Sequence, residues 1–194
     1  MTSYPQICAR QHTHTHARTQ GAIRPEVRDE NTVVIKKARH PVLVLRGVNP
    51  VANAVQLTGD QPALVISGPN AGGKTVVLKT VGLCALLVQH ACFVPCEEGA
   101  RVDLFSNILA SIGDAQTVEE DLSSFSSHMK TLNTMVVHGQ DRALILLDEI
   151  CSGTDPAQGS ALAQVSLPMP LRVCLYASSP SMLWPPALPS QLSV

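Results

Sequence analysis

The segment Gly68-Pro69-Asn70-Ala71-Gly72-Gly73-Lys74-Thr75 constrains this chain more than any other stretch of it. It fits the phosphate-loop pattern, two glycines with four residues between them followed by lysine and threonine. Glycine lets successive backbone N–H groups turn inward around phosphate oxygens. A helix that begins at the end of such a loop points its positive end at the same anion. Lys74 is the candidate to reach β- and γ-phosphates, and Thr75 offers a hydroxyl to Mg²⁺. The flanks agree with this. Ala63–Ser67 is a short apolar run between Pro62 and Gly68 and reads as a buried strand. Thr75–His90 is rich in small and branched apolar residues and reads as a largely buried helix.

A second run, Ala143-Leu144-Ile145-Leu146-Leu147-Asp148-Glu149, is a buried strand ending in two acids. Asp148 could cap a following helix. Its place downstream of a phosphate loop favours another role: holding Mg²⁺ at the end of a Walker B strand. Glu149, next door, can then polarise an attacking water. Lys74 and Glu149 are the candidate catalytic residues, and ATP with Mg²⁺ is the expected cofactor pair. Between the two motifs lies Leu122-Ser123-Ser124-Phe125-Ser126-Ser127-His128-Met129, at the start of a helix predicted over Leu122–Val137. Its hydroxyls read either as an anion site or as an ordinary serine cap, and physical chemistry alone favours the cap.

Strand and helix runs alternate between residues 33 and 165, with further strands predicted at Val102–Phe105 and Asn107–Ile112 and a helix starting near Ala157. Such alternation predicts an α/β sheet covered on both faces. Residues 1–32 read as a low-complexity or disordered segment, with the alternation His12-Thr13-His14-Thr15-His16. Residues 166–194 form a Pro- and Ser-rich tail; Val173–Ala177 could add one strand, and no periodicity follows Ser178. With 14 basic and 15 acidic residues the net charge is −1, so there is no broad basic footprint for nucleic acid. Aromatics at 3% argue against a base-stacking platform. The six cysteines, at 8, 84, 92, 96, 151 and 174, read as reduced, buried thiols. No apolar run reaches the ~18 residues a membrane span needs, so no membrane partner is expected.

Several of these segments together resemble the MutS family of DNA mismatch-repair ATPases. The run Ile66–Thr75 is similar to that family's phosphate loop. Ser111–Gln116, Leu122–Met129 and Leu147–Pro156 look like its second branch, and Ala38-Arg39-His40-Pro41 looks like the motif opening its ATPase domain. The resemblance implies an ABC-type phosphate-loop NTPase domain with a mixed sheet flanked by helices, over 33–165 and truncated at its C-terminus. The loop residues Gly68, Pro69, Asn70, Ala71, Gly72, Gly73, Lys74 and Thr75 would hold ATP, and Thr75 and Asp148 the Mg²⁺. It further implies that Asn53 contacts adenine and that Ser123 reaches the γ-phosphate held by a partner subunit. Asp155 would lie in a loop crossing between subunits. A homodimer and binding to mismatched or branched DNA are implied in the same way.

The chain also departs from that pattern. A switch histidine is expected one strand after Walker B, and Ser178-Ser179 stand near its place. The segments that grip DNA and the family's nuclease domain have no counterpart; the missing histidine and the truncated sheet make ATP binding with poor turnover the expectation. Two rivals remain: the nucleotide-binding subunit of another ABC ATPase, whose Leu-Ser-Gly-Gly-Gln signature Leu122-Ser123-Ser124-Phe125 does not fit, and a catalytically inactive fragment.

Overall fold

The structure, a computed structural model, describes residues 21–69, 72–112, 130–135, 137–139, 142–148, 173–178 and 191–193. Its first sheet is antiparallel and three-stranded, in the order β2-β1-β4. It contains β1 (Val33–Ala38), β2 (Asn53–Leu57) and β4 (Arg101–Val102). A short helix, α1 (Pro41–Leu45), connects the first two and begins with proline, whose fixed φ suits a first helical turn. Strand β1 buries Val33, Ile35 and Ala38 while Lys36 and Lys37 stay exposed. An irregularity between Ile35 and Ala38, with Lys37 at φ 46°, shifts the register there.

The second sheet has five strands in the order β5-β6-β7-β3-β8. They are β3 (Ala63–Ser67), β5 (Asn107–Ser111), β6 (Ala143–Asp148), β7 (Val173–Ser178) and β8 (Gln191–Ser193). Every pairing in it is parallel. The described strands thus form one parallel and one antiparallel sheet. All of Leu64–Ile66 and Ala143–Leu147 are buried, as continuous apolar runs in a parallel sheet must be.

Helix α2 (Lys74–Gln89) packs on the parallel sheet. Val77, Leu78, Val81, Cys84, Ala85 and Val88 form its buried stripe, at spacings of three and four. Gly82 lies in the same stripe: a Cβ there would stand 2.6 Å from Leu146 Cδ1, so the helix approaches β6 closely at that turn. Residues 130–135 are helical and bury Leu132 and Met135, within the helix predicted over Leu122–Val137.

Three expectations need correction. The strand predicted at Val102–Phe105 is only Arg101–Val102, because Asp103 turns inward and its carboxylate accepts backbone hydrogen bonds instead. The tail after Ser178 is not devoid of structure: Gln191–Ser193 pairs with Val65–Ser67 as the edge strand β8. Three residues are too few to show a period. Cys92 is exposed, whereas Cys84 and Cys96 are buried as expected. Burial pushes the Cys96 thiol up to about 11, with Arg39 opposing, and raises that of Cys84 further. Among the described residues no cluster of His, Cys, Asp or Glu could hold a metal and no helix is long and apolar enough to cross a membrane. The His12–His16 alternation lies outside them.

Candidate functional site

The parallel sheet brings the two motifs together. Strand β7 pairs with both β3 and β6, in register from Ser67↔Ser178 to Ala177↔Asp148. The C-terminal ends of β3 and β6 thus lie at one edge of the sheet with one strand between them. That is where ligands bind in open parallel sheets. The loop leaves β3 at Gly68 and enters α2 through Gly73, which sits at φ 83° and ψ 14°. A side chain there would be strained whatever the space, which explains the glycine. Gly72 N–H closes the turn onto Pro69 O at 2.9 Å, and Val77 N–H starts the helical ladder on Gly73 O. The N-cap is Gly73, which has no side chain to cap the helix, and a helix start of this kind can turn backbone amides toward an anion.

Lys74 is only 3% exposed. Its ammonium folds back over the loop and donates to Gly68 O at 2.7 Å and Pro69 O at 2.9 Å. A buried cation needs such partners, and two carbonyls with no formal charge are weaker partners than a phosphate. Thr75 follows on the first turn of α2, and its Oγ1 donates to Asp148 Oδ2 at 2.6 Å across 73 residues of sequence. The other carboxylate oxygen, Asp148 Oδ1, is buried and among the described residues has no hydrogen-bond partner. A hydroxyl and a carboxylate with an oxygen to spare form a hard donor set of the kind Mg²⁺ takes through one or two protein ligands. The residues present fit that ion.

The structure brings together Gly68, Pro69, Gly72, Gly73, Lys74, Thr75 and Asp148. It does not bring Asn53 to them through any described contact. Asn53 opens β2 opposite Ala38, and its amide donates to Val51 O at 3.2 Å. Asn70, Ala71, Ser123, Glu149 and Asp155 lie outside the described residues. One residue near the site escaped the sequence reading, and another, His40, was read only as part of the motif Ala38–Pro41. Gly82 sets the approach of α2 to β6, and its signal was a lone glycine inside an apolar helix. His40 stands at the start of α1 with Nδ1 buried and, among the described residues, unpartnered. Burial and the nearby Lys79 charge hold its pKa below the ordinary value, against its own backbone hydrogen bond.

Comparison with known proteins adds a family. Residues 64–172 match MutS domain V. The chain is 45% identical over 148 residues to the Endonuclease MutS2 of Lactiplantibacillus plantarum, an overlap of 76% of this chain and 19% of that protein. It is 43% identical over 148 residues to the Endonuclease MutS2 of Bacillus velezensis, with the same two shares. To that of Caldicellulosiruptor bescii it is 44% identical over 151 residues, 78% of this chain and 19% of the relative. The chain therefore spans about a fifth of the length of these curated relatives.

Proposed function

Because the chain belongs to the MutS family, in its MutS2-like branch, we propose that it is the ATP-binding part of a MutS-like protein acting in DNA repair or recombination control. The domain would be an ABC-type phosphate-loop ATPase built on 33–165 together with strands β7 and β8, which fall within the stretch 166–194 expected to be an atypical tail. The observation that carries this reading is the hydrogen bond from Thr75 to Asp148, with Asp148 Oδ1 left over. Two residues 73 positions apart meet at the mouth of a glycine loop, as a magnesium–nucleotide site requires.

The roles follow from the chemistry of each group. The loop amides and the uncapped start of α2 bind phosphate oxygens. Lys74 exchanges its hold on the carbonyls of Gly68 and Pro69 for β- and γ-phosphate oxygens, and so closes the loop over the nucleotide. Thr75 and Asp148 hold Mg²⁺, which when bound neutralises charge on the phosphates. Glu149 orients and polarises the attacking water. Asn53 contacts adenine. Ser123 of a second copy completes the γ-phosphate site, and Asp155 crosses between copies, so the intact protein works as a homodimer. DNA, mismatched or branched, is the proposed macromolecular partner.

Turnover by this chain is proposed to be low. In support, β7 passes between β3 and β6 and ends on Ser178, paired with Ser67, near where the resemblance calls for a histidine.

Isothermal calorimetry with ATP and Mg²⁺ tests the reading. Saturable binding is expected for the wild type, weakened at least about tenfold in Lys74→Ala, the scale of a charge-assisted contact. A folded wild-type chain that binds no Mg²⁺–ATP overturns it. Robust steady-state hydrolysis, abolished by Glu149→Gln, would overturn the proposal of low turnover.

A further inference from the structure

Residues 21–32 run beside the antiparallel sheet as a strap, within the segment expected to be low in complexity. Ile23 exchanges both backbone hydrogen bonds with Val94 at 2.8 Å. Glu26 N–H donates to Ala100 O at 2.9 Å and Val102 N–H to Glu26 O at 3.0 Å. Past Glu26 the amides converge on one side chain. Asp103, 1% exposed, accepts Arg28 N–H on Oδ1 at 2.7 Å. Its Oδ2 accepts Glu30 N–H at 3.0 Å and Thr32 N–H at 2.9 Å. Asn31, between those two amides, sits at φ 53° in the left-handed region. A residue in that conformation among ordinary ones turns neighbouring N–H groups toward a common anion. Asp103 N–H returns a hydrogen bond to Thr32 O at 2.9 Å.

The same strap reaches β6. Asp29 forms an ion pair with Arg142, the residue immediately before that strand. Arg142 also donates to Leu104 O at 2.8 Å, and its carbonyl accepts Ser106 N–H at 2.9 Å. It too is left-handed, at φ 62°. Such conformations persist where the surroundings over-determine them. From Arg142 the chain runs straight through β6 to Asp148. Residues 143–147 are buried, and β5 and β7 pair with the strand on either side. A strand held on both edges and both faces moves as a unit, so a displacement at its start reaches its end.

We propose that Asp103 locks the strap onto the beginning of β6, and that through β6 the strap is coupled to the Mg²⁺ carboxylate of Asp148. Asp103 and Arg142 are then positioning residues for that carboxylate and touch neither nucleotide nor metal. The inference rests on the nucleotide-site reading above for its metal consequence, and on the strap geometry alone for the lock.

The test uses the full chain and Asp103→Asn. An amide at this place offers one acceptor oxygen and turns N–H donors toward the strap's own N–H groups. Hydrogen exchange at the amides of Arg28, Glu30 and Thr32 should rise at least about tenfold, the scale of a lost hydrogen bond to a charged group. Protection at Leu147 and Asp148 should fall with it. ADP binding in the presence of Mg²⁺ should weaken about five-fold or more, the lower end of typical site–site coupling, with ADP binding in EDTA unchanged. Reciprocally, Mg²⁺–ADP should slow exchange at 28–32 in the wild type. Unchanged strap exchange in the variant overturns the lock. Faster strap exchange with unaltered β6 protection and unaltered Mg²⁺ dependence overturns the coupling and leaves the strap a simple anchor. A wild type that binds no Mg²⁺–ADP defeats the nucleotide reading alone, since strap and β6 protection still report the lock and its reach. Should Asp103→Asn fail to fold, Asp29→Asn, which loosens the exposed end of the same joint, takes its place. It should shift β6 protection and Mg²⁺ dependence in the same direction, and no shift in either overturns the coupling.

Discussion

Asp103 and Asp148 are two carboxylates treated in opposite ways by one fold. Asp103, almost wholly buried, has both oxygens engaged, by three backbone amides in all. Asp148 takes one hydroxyl on Oδ2, and its buried Oδ1 meets no donor among the described residues. Burying polar oxygen costs free energy unless something bonds to it. A fold that satisfies one carboxylate completely and leaves the other incomplete has put the first to structural use. On the proposed reading the second is kept for Mg²⁺, a group that arrives from outside. Lys74 follows the same logic, since its present acceptors are loop carbonyls that a phosphate can outbid.

The sharpest break of this comparison is truncation of each acid. Asp103→Ala strands three amides and should lower unfolding free energy by about 2–4 kcal/mol, each orphaned buried donor costing ~1–3 kcal/mol less whatever water recovers. Asp148→Ala should cost under about 1 kcal/mol without Mg²⁺, since it removes one hydrogen bond and also an oxygen that had no partner. Urea denaturation of both variants in EDTA decides the matter. Equal losses would mean that Asp148 is as structural as Asp103. A Mg²⁺-dependent stabilisation of the wild type, absent in Asp148→Ala, would sharpen the distinction.

How much of this the sequence carried differs between the two carboxylates. Asp148 was legible because it ends a run of five apolar residues, and Thr75 because it ends a glycine motif. Each signal is local, and the sheet only had to bring them together. Strands β3 and β6 and helix α2 were legible for the same reason, within a residue or so at each end. Asp103 was not legible. Its donors lie more than 70 residues away, and nothing about a single acid after a short strand announces them. The antiparallel sheet was harder to see because β1 carries two lysines and a register shift in six residues, which breaks its alternation. The parallel character of the larger sheet is a property of connections and cannot be read from any one strand.

A smaller effect probes how the open carboxylate is kept in place. Gly82→Ala puts a methyl group 2.6 Å from Leu146 Cδ1 in a side chain that is 1% exposed. Overpacking of this kind costs about 1–3 kcal/mol, and alanine returns up to ~1 kcal/mol of helix propensity. A net loss of about 1 kcal/mol is expected by thermal denaturation, with weaker Mg²⁺-dependent nucleotide binding because α2 carries Thr75 and β6 carries Asp148. Leu146→Val removes reach on the strand side. The double variant should therefore lose less than the two single variants summed, as contacting sites do. Strict additivity would show that Gly82 does not set the helix–strand distance.

The smallest expected effect concerns another unpartnered atom, and it tests whether incompleteness always means a reserved ligand. His40 Nδ1 is buried without a partner among the described residues. A neutral imidazole tolerates this far better than a carboxylate does, because it carries no charge to be solvated. Burial foremost, and then the charge of Lys79 on α2, hold the His40 pKa below its ordinary value of 6.5. The folded state therefore binds this proton less readily than the unfolded chain. The stability that a neutral His40 contributes is fully present above the unfolded pKa, and it is lost as pH falls from there through the folded pKa. Wild-type melting temperature should thus drop between about pH 7 and pH 5, and His40→Gln, which cannot titrate, should drop less. If both fall alike, the acid sensitivity belongs to other groups. If His40→Gln is flatter, His40 is an orphan kept neutral by its surroundings. Asp148 Oδ1 would then be distinguished from it by charge, the property on which its proposed role toward Mg²⁺ rests.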